Sequence, residues 1–177
     1  MTVADFAPHN MTANNAPSPY VASSSTAYSA FFYAYKAFDN VVGPNQYWLA
    51  NATTGWLQIY TGSSIYNLSN YSIRVNTIPE PNRALKNWTM QGSLDGTNWN
   101  ILDTVAGEVS WGSGETRNFV CDAFGGYTYW RLNITLNNGD AGYVQVGELY
   151  LYGEPYSYTS YLKRGRSRLD LGGWSLG

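Results

Sequence analysis

The sequence predicts an all-β sandwich, and three observations carry that expectation. Short runs of alternating apolar and polar residues recur along the 177 residues, with Gly, Asn and Pro between them. No segment keeps a helical period over ten or more residues. Asp95-Gly96 sits between two alternating runs, a dipeptide suited to closing a hairpin. Composition agrees: aromatic residues make up 16% of the chain and charged residues only 12%, against about 25% charged in an average globular chain. Tyr and Trp pack well on pleated sheets. They also suit binding surfaces, because each joins a broad apolar face to a polar tip.

The elements follow in chain order. Residues 1–19 are expected to form an extended arm, since Ala4–Pro19 mixes Asn, Pro, Ala and Ser with little to bury. A domain over 20–153 comes next. Its strands are "YVASSS" (Tyr20–Ser25), "WLQIY" (Trp56–Tyr60), "YSIRVNT" (Tyr71–Thr77), "NWTMQGSL" (Asn87–Leu94), "WNILDTV" (Trp99–Val105), "TRNFVC" (Thr116–Cys121), "YTYWRLNITL" (Tyr127–Leu136) and "YVQVGELYLYG" (Tyr143–Gly153). "YSAFFYAYKAF" (Tyr28–Phe38) fits one or two helical turns. Eight strands at this spacing suggest a sandwich or a jelly roll. Alternation places Trp130, Leu132, Ile134 and Leu136 on one face of their strand. In the last strand it puts Val144, Val146, Glu148, Tyr150 and Tyr152 in one row, an unusual place for a carboxylate. Such a group needs a partner or a metal.

Residues 154–177 change character. Residues 1–162 hold six Lys/Arg against eleven Asp/Glu, a balance of −5, and residues 163–177 hold four against one, a balance of +3. The body is therefore a poor nucleic-acid binder. The tail joins Lys163, Arg164, Arg166 and Arg168 to Leu169, Leu171 and Trp174, a mixture expected to order on a partner. "KRGRSR" also allows a salt-sensitive contact with nucleic acid, although the run is short and apolar residues follow it.

Several function classes lose support. Cys121 is the sole cysteine, which rules out an intrachain disulfide. No signal peptide and no membrane-length apolar run is evident, so synthesis in a host cytoplasm without membrane insertion is expected. N-x-S/T triplets occur at Asn10, Asn51, Asn67, Asn70, Asn87 and Asn133; without a secretory signal they reflect Asn- and Thr-rich composition. His9, the only histidine, lies in the expected arm, a poor place for a catalytic triad. No two carboxylates are set up to face each other as a glycosidase requires, and no zinc spacing or phosphate loop occurs. The chain is expected not to be an enzyme.

Five motifs in order, "AFDN" (37–40), "GWLQIYTG" (55–62), "WTMQGSLDGTNWNILDT" (88–104), "YWRLNIT" (129–135) and "VGELYLYG" (146–153), resemble the discoidin, or coagulation factor C-type, domain. The carbohydrate-binding branch of that family is the family 32 carbohydrate-binding module. The resemblance covers roughly Ser18 to Gly153. The opening "APSPYVASSSTAYS" is most similar to discoidin-type modules of bacteriophage virion proteins. The resemblance implies an eight-stranded antiparallel jelly-roll β-sandwich, galactose-binding-domain-like, with ligands bound by loops at one end. Trp88 and Trp99 become scaffold residues of the hairpin. The sequence departs from the family at Asp39-Asn40, where members carry Asp-Gly, and at Tyr60, where an acidic residue is frequent. Its loop Asn40–Trp48 lacks the usual Thr.

The resemblance also implies sites. A structural Ca²⁺ would lie between Asp39 and Glu148, with loop carbonyls completing a hard oxygen set; alternatively Glu148 caps backbone N–H groups or pairs with an arginine. A sugar would be held by an arginine, an amide and an aromatic platform. Asn82, Arg83 and Asn87 supply the polar groups, and Trp111 or Tyr47 the platform. The plainer alternatives are an ion pair of Arg83 with Glu80 or Asp95, and edge packing of Trp111. "FGGY" (Phe124–Tyr127) suits a tight turn. The function expected is a non-catalytic carbohydrate-binding module on a phage virion, a multimer on the particle. It would contact bacterial surface glycans and be anchored to other virion structural proteins through its C-terminal tail. The alternative is a structural decoration or connector protein of a phage capsid or tail, without glycan binding.

Overall fold

The computed structural model describes residues 3–76 and 80–157. It is all-β with antiparallel sheets. The strands are β1 (Ala4–Asp5), β2 (Val21–Ser24), β3 (Trp48–Ala50), β4 (Gly55–Tyr60), β5 (Tyr66–Arg74), β6 (Leu85–Ser93), β7 (Asn100–Val105), β8 (Thr116–Val120), β9 (Gly126–Tyr127), β10 (Tyr129–Asn137), β11 (Val144–Val146) and β12 (Glu148–Pro155). One sheet has the order β1-β12-β5-β8, with β9 also on β5; the other has the order β2-β4-β10-β6-β7; β3 and β11 form a separate ribbon. Between the main sheets Leu57, Ile59, Trp88, Met90, Trp130 and Leu132 meet Leu68, Tyr71, Ile73, Leu149 and Leu151, all buried. Period-two alternation supplies both inner faces, as a sandwich requires.

Trp88 and Trp99 turn out to have different jobs. Trp88 is buried, and its Nε1–H donates to the Tyr71 hydroxyl at 2.9 Å, which in turn donates to Asp103 Oδ2 at 2.6 Å. That chain satisfies three polar groups inside the core. The connection between β6 and β7 is organised by Asp95, whose Oδ1 accepts from the backbone N–H groups of Thr97 and Asn98 at 2.8 Å each. Gly96 takes φ +71° there, a region that favours glycine. Trp99 stays half-exposed and lies over Arg131.

Three expectations need correction. "YVQVGELYLYG" is two strands. Gly147 breaks it, and a Cβ at that position would sit 2.8 Å from the Arg74 carbonyl oxygen. Hence Val144 and Val146 pair with β3, whereas Glu148, Tyr150 and Tyr152 lie opposite Arg74, Ser72 and Asn70 on the outer side of β12. Glu148 is thus not in a core row; it is buried under the loop carrying Val41 and Val42. Next, residues 4–19 do have something to bury. β1 pairs with β12, Phe6 stacks on Tyr66 with ring centroids 4.4 Å apart, and Ala7 and Met11 are buried. Finally, Asn87, expected to open its strand and to offer its amide to a sugar, is the third residue of β6, which begins at Leu85. The helical turns expected in Tyr28–Phe38 occur as two short 3-10 turns, Ala30–Phe32 and Ala34–Ala37. Cys121 is buried, and burial, then the charges of Asp103 and Asp122, push its thiol up to about 12.

Candidate functional site

Loops from several connections meet at one end of the sandwich. The β10–β11 loop is tied to the segment before β6: Asp140 N–H donates to the Asn82 carbonyl at 3.1 Å, and Asn138 N–H to that of Ala84 at 3.0 Å. Asn138 Nδ2 also donates to the carbonyls of Leu85 and Glu108. Asn137 Nδ2 bonds the carbonyls of Asp140 and Tyr143. Asp140 Oδ1 closes an Asx-type turn by accepting from the N–H groups of Gly142 and Tyr143, each at 2.8 Å.

Arg83 stands at the centre of this end. Its Nε–H donates to Asp140 Oδ2 at 3.1 Å, its Nη2 lies 3.6 Å from Glu80 Oε2, and its guanidinium carbon sits 4.9 Å from the Tyr143 ring centroid. Burial pushes the Asp140 carboxyl up, but the Gly142 N–H, the Arg83 guanidinium and the Tyr143 N–H outweigh it and hold the group below its usual range. Tyr143 meets Tyr28 edge-on at 5.4 Å. Tyr28 is exposed, and so is Phe31, at 71%. A pocket of about 150 Å³ opens nearby, lined by Val75, Asn76, Pro81, Trp111, Ser113 and Gln145. A fixed cation, carboxylates, amides and exposed aromatic faces are what saccharide recognition needs.

The residues singled out from sequence fare differently. Arg83 is at the site and also ion-paired, with Glu80 as one plain alternative held and with Asp140 in place of Asp95. Asn82 is exposed beside it. Asn87 instead holds a turn, its Oδ1 accepting from Gly107 N–H at 2.8 Å. Trp111 cannot serve as an open platform. It is 4% exposed, its Nε1–H donates to the Leu85 carbonyl, and the Arg117 guanidinium covers its ring at 4.3 Å. Tyr47, 5% exposed, packs on Phe32; burial raises its pKa. Sequence reasoning passed over Asp140, Tyr143 and Tyr28. "NNGDAGY" (137–143) carries the Asx-turn signature, and "AYSAFFYAYKAF" (27–38) holds more aromatic residues than one short turn can bury, so both signals were present.

Asp39 and Glu148 form a second locus. Asp39 Oδ1 accepts from Val41 N–H at 2.9 Å, and Lys36 Nζ lies 3.5 Å from Oδ2. Glu148 is 1% exposed, and neither of its oxygens makes a hydrogen bond of full geometry, although the Asp39 carboxyl and the Asn40 N–H approach it closely enough to act on its charge. Burial, then the Asp39 charge, raises its pKa to about 9, and Arg74 only partly offsets this. The recess between Val41, Val42, Gln46, Arg74 and Glu148 is about 10 Å³, close to one water-sized sphere. Orphaned hard oxygens in a space of that size fit a small hard cation. Among the described residues no cluster of three or more His, Cys, Asp or Glu side chains occurs, so loop carbonyls and water would complete the shell. His9 lies elsewhere, its Nε2 2.7 Å from Asp5 Oδ2 and its ring against Tyr150. Lys163, Arg164, Arg166, Arg168, Leu169, Leu171 and Trp174 lie outside the described residues.

No protein-family model and no curated protein matches the sequence. Solved structures do match in shape. The chitosan-binding module 1 of a Paenibacillus sp. IK-5 chitosanase/glucanase superposes with TM-score 0.62 at 20% identity, over 85% of this chain and 99% of its own. The family 32 carbohydrate-binding module of Clostridium perfringens NanJ, solved in complex with galactose, gives 0.60 at 14% identity, over 75% and 93%. An F5/8 type C domain from Bacteroides fragilis gives 0.63 at 17% identity, over 78% and 94%. The chain has the fold of discoidin-type, family 32 carbohydrate-binding modules.

Proposed function

We propose that this chain is a non-catalytic glycan-binding module whose loop end holds the sugar. The observation that carries the reading is Arg83, fixed between Asp140, Glu80 and the Tyr143 ring, beside exposed Tyr28. Arg83 and Asp140 would orient sugar hydroxyls, and Tyr28 would meet a C–H face. Carbohydrate-binding proteins among the structural neighbours support the same reading. Ca²⁺ bound by Asp39 and Glu148 would brace the adjacent loop, as the orphaned Glu148 oxygens suggest.

The setting we propose is a phage particle that meets bacterial surface glycans. Its support is the resemblance of the opening segment to virion modules and the basic, then apolar, composition of residues 163–177. That tail would attach the module to other virion proteins. A structural decoration role is the second reading. It is favoured by the internal pairing of Arg83 and the burial of Trp111 and Tyr47.

A bacterial glycan array probed with the chain displayed multivalently, with and without Ca²⁺, tests the first reading. Arg83→Ala is expected to weaken binding by about tenfold or more, the scale of one charged hydrogen bond. Deleting residues 163–177 is expected to spare glycan binding and abolish particle attachment. Absence of glycan binding by the intact chain, with attachment still lost on deletion, would establish the decoration role.

A further inference from the structure

The outer face of the sheet β2-β4-β10-β6-β7 carries chemistry that the loop end does not use. Leu57, Ile59, Leu132 and Met90 point into the core, so alternate positions point out. Strand register aligns them: Gln58, Arg131 and Gln91 form one row, and Tyr60 and Tyr129 the next. The two tyrosines stack at 4.5 Å. Trp56, on β4, and Trp99, from the connection before β7, flank the Arg131 guanidinium, whose carbon lies 4.5 and 3.8 Å from their ring centroids.

Arg131 differs from Arg83 and Arg117, which are both ion-paired. Among the described residues no carboxylate lies within ion-pair distance of it. Its Nε and Nη2 both donate to Gln58 Oε1, at 3.1 and 2.7 Å. Among the described residues its Nη1 has no hydrogen-bond acceptor. Burial lowers its pKa, the mark of a desolvated charge short of compensation. The two indoles and Gln58 already fix the guanidinium, so a ligand need not order it. Neighbouring outward positions on β4 and β10 carry aromatic, amide or hydroxyl groups and no acid. An approaching anion therefore meets one preorganised cation set among sugar-stacking surfaces.

We propose that this sheet face is a second saccharide site, separate from the loop end, and that it takes an acidic glycan. The carboxylate of a uronic or sialic acid residue would pair with the Nη1 side of Arg131. The sugar ring would stack on Trp99 or Trp56, and its hydroxyls would meet Gln91. Charge complementarity and the planar aromatic flanks select this occupant over a neutral chain. The inference does not rest on the loop-end reading.

Titrating the full chain with oligosaccharides of hyaluronan, alginate and polysialic acid, and with the carboxyl-reduced form of each, tests it. The indole N–H signals of the tryptophans in heteronuclear NMR spectra are the readout. Trp56 and Trp99 are expected to shift with an acidic probe, and the reduced form is expected to bind roughly tenfold weaker or less well still. Arg131→Gln and Trp99→Ala should each weaken binding to a similar degree, with the signals of buried Trp88 and Trp130 reporting an intact fold. Arg83→Ala should leave this titration unchanged, which separates it from any failure at the loop end. The proposal is overturned if no acidic probe moves Trp56 or Trp99 at millimolar concentration. It is equally overturned if acidic and reduced forms act alike, if both variants bind as the parent does, or if only Trp111 responds.

Discussion

Glu148 combines near-complete burial with two unpartnered oxygens. An ionised carboxylate in that position carries an effective penalty of several kcal/mol. The residue can escape it by holding a proton, consistent with a pKa of about 9, or by binding a cation with Asp39. Glu148→Gln separates the two. In chelator near pH 7 the variant is expected to melt higher than the parent, because the amide is neutral in both states whereas Glu148, with its pKa raised to about 9, must take up a proton to fold. With Ca²⁺ at about a hundred times its Kd the parent should gain about 2.7 kcal/mol, roughly 5–10 °C for a domain of this size. The variant should gain nothing. Thermal melts in both buffers check this, and an equal Ca²⁺ increment in the two proteins would remove Glu148 from the ligand set. The residue stood out in the sequence as a Glu in an apolar row, although the break at Gly147 dissolves that row and places Glu148 on the outer side of β12. What covers it was not legible there, since loop 38–42 reaches it only through tertiary packing.

Elements with a strong period were read well, and those defined by their partners were not. β4, β6, β8 and β10 lie close to their expected places because inner and outer residues alternate along most of each, and β7 does so although a bulge opposite Met90–Gln91 interrupts its alternation. β1 and β3 have two and three residues, too few for any period, and each exists because a partner strand accepts it. The break at Gly147 is legible only once the Arg74 carbonyl is known to press against it. Likewise, loop aromatics were weighed by type, whereas burial decided that Trp111 and Tyr47 brace the loops while Tyr28 and Phe31 face outward. The N-terminal segment gives the corresponding test. Phe6 is 8% exposed and stacks on Tyr66 at 4.4 Å, with Trp130 at 5.2 Å. Phe6→Ala is therefore expected to cost about 3 kcal/mol, the lower range for a buried phenylalanine. Urea unfolding measures it. A loss under about 0.5 kcal/mol, the size of an ordinary surface substitution, would mean that the segment is an arm in solution.

For the whole molecule, the layout sets how tightly the proposed glycan site could hold a sugar. The loop end is one open patch with a pocket of about 150 Å³, below the roughly 300–1,000 Å³ of sites that enclose a small ligand. A patch that leaves most of a sugar in water yields few desolvated contacts. Single-site binding near millimolar, about −4 kcal/mol, is therefore expected. Weak sites become useful when several engage one surface. The effective concentration of a second site on a shared scaffold raises avidity by about 10²–10⁴ without a new contact. Displayed on a particle-sized bead against a dense glycan surface, the chain should show an apparent affinity at least about 100-fold above that of the monomer. The gain should vanish as glycan density falls below the spacing of the displayed copies. Surface plasmon resonance of monomer and bead across a density series measures both effects. A monomer that already binds in the micromolar range would locate the recognition in a single enclosing site, and the open loop end around Arg83 could not be that site.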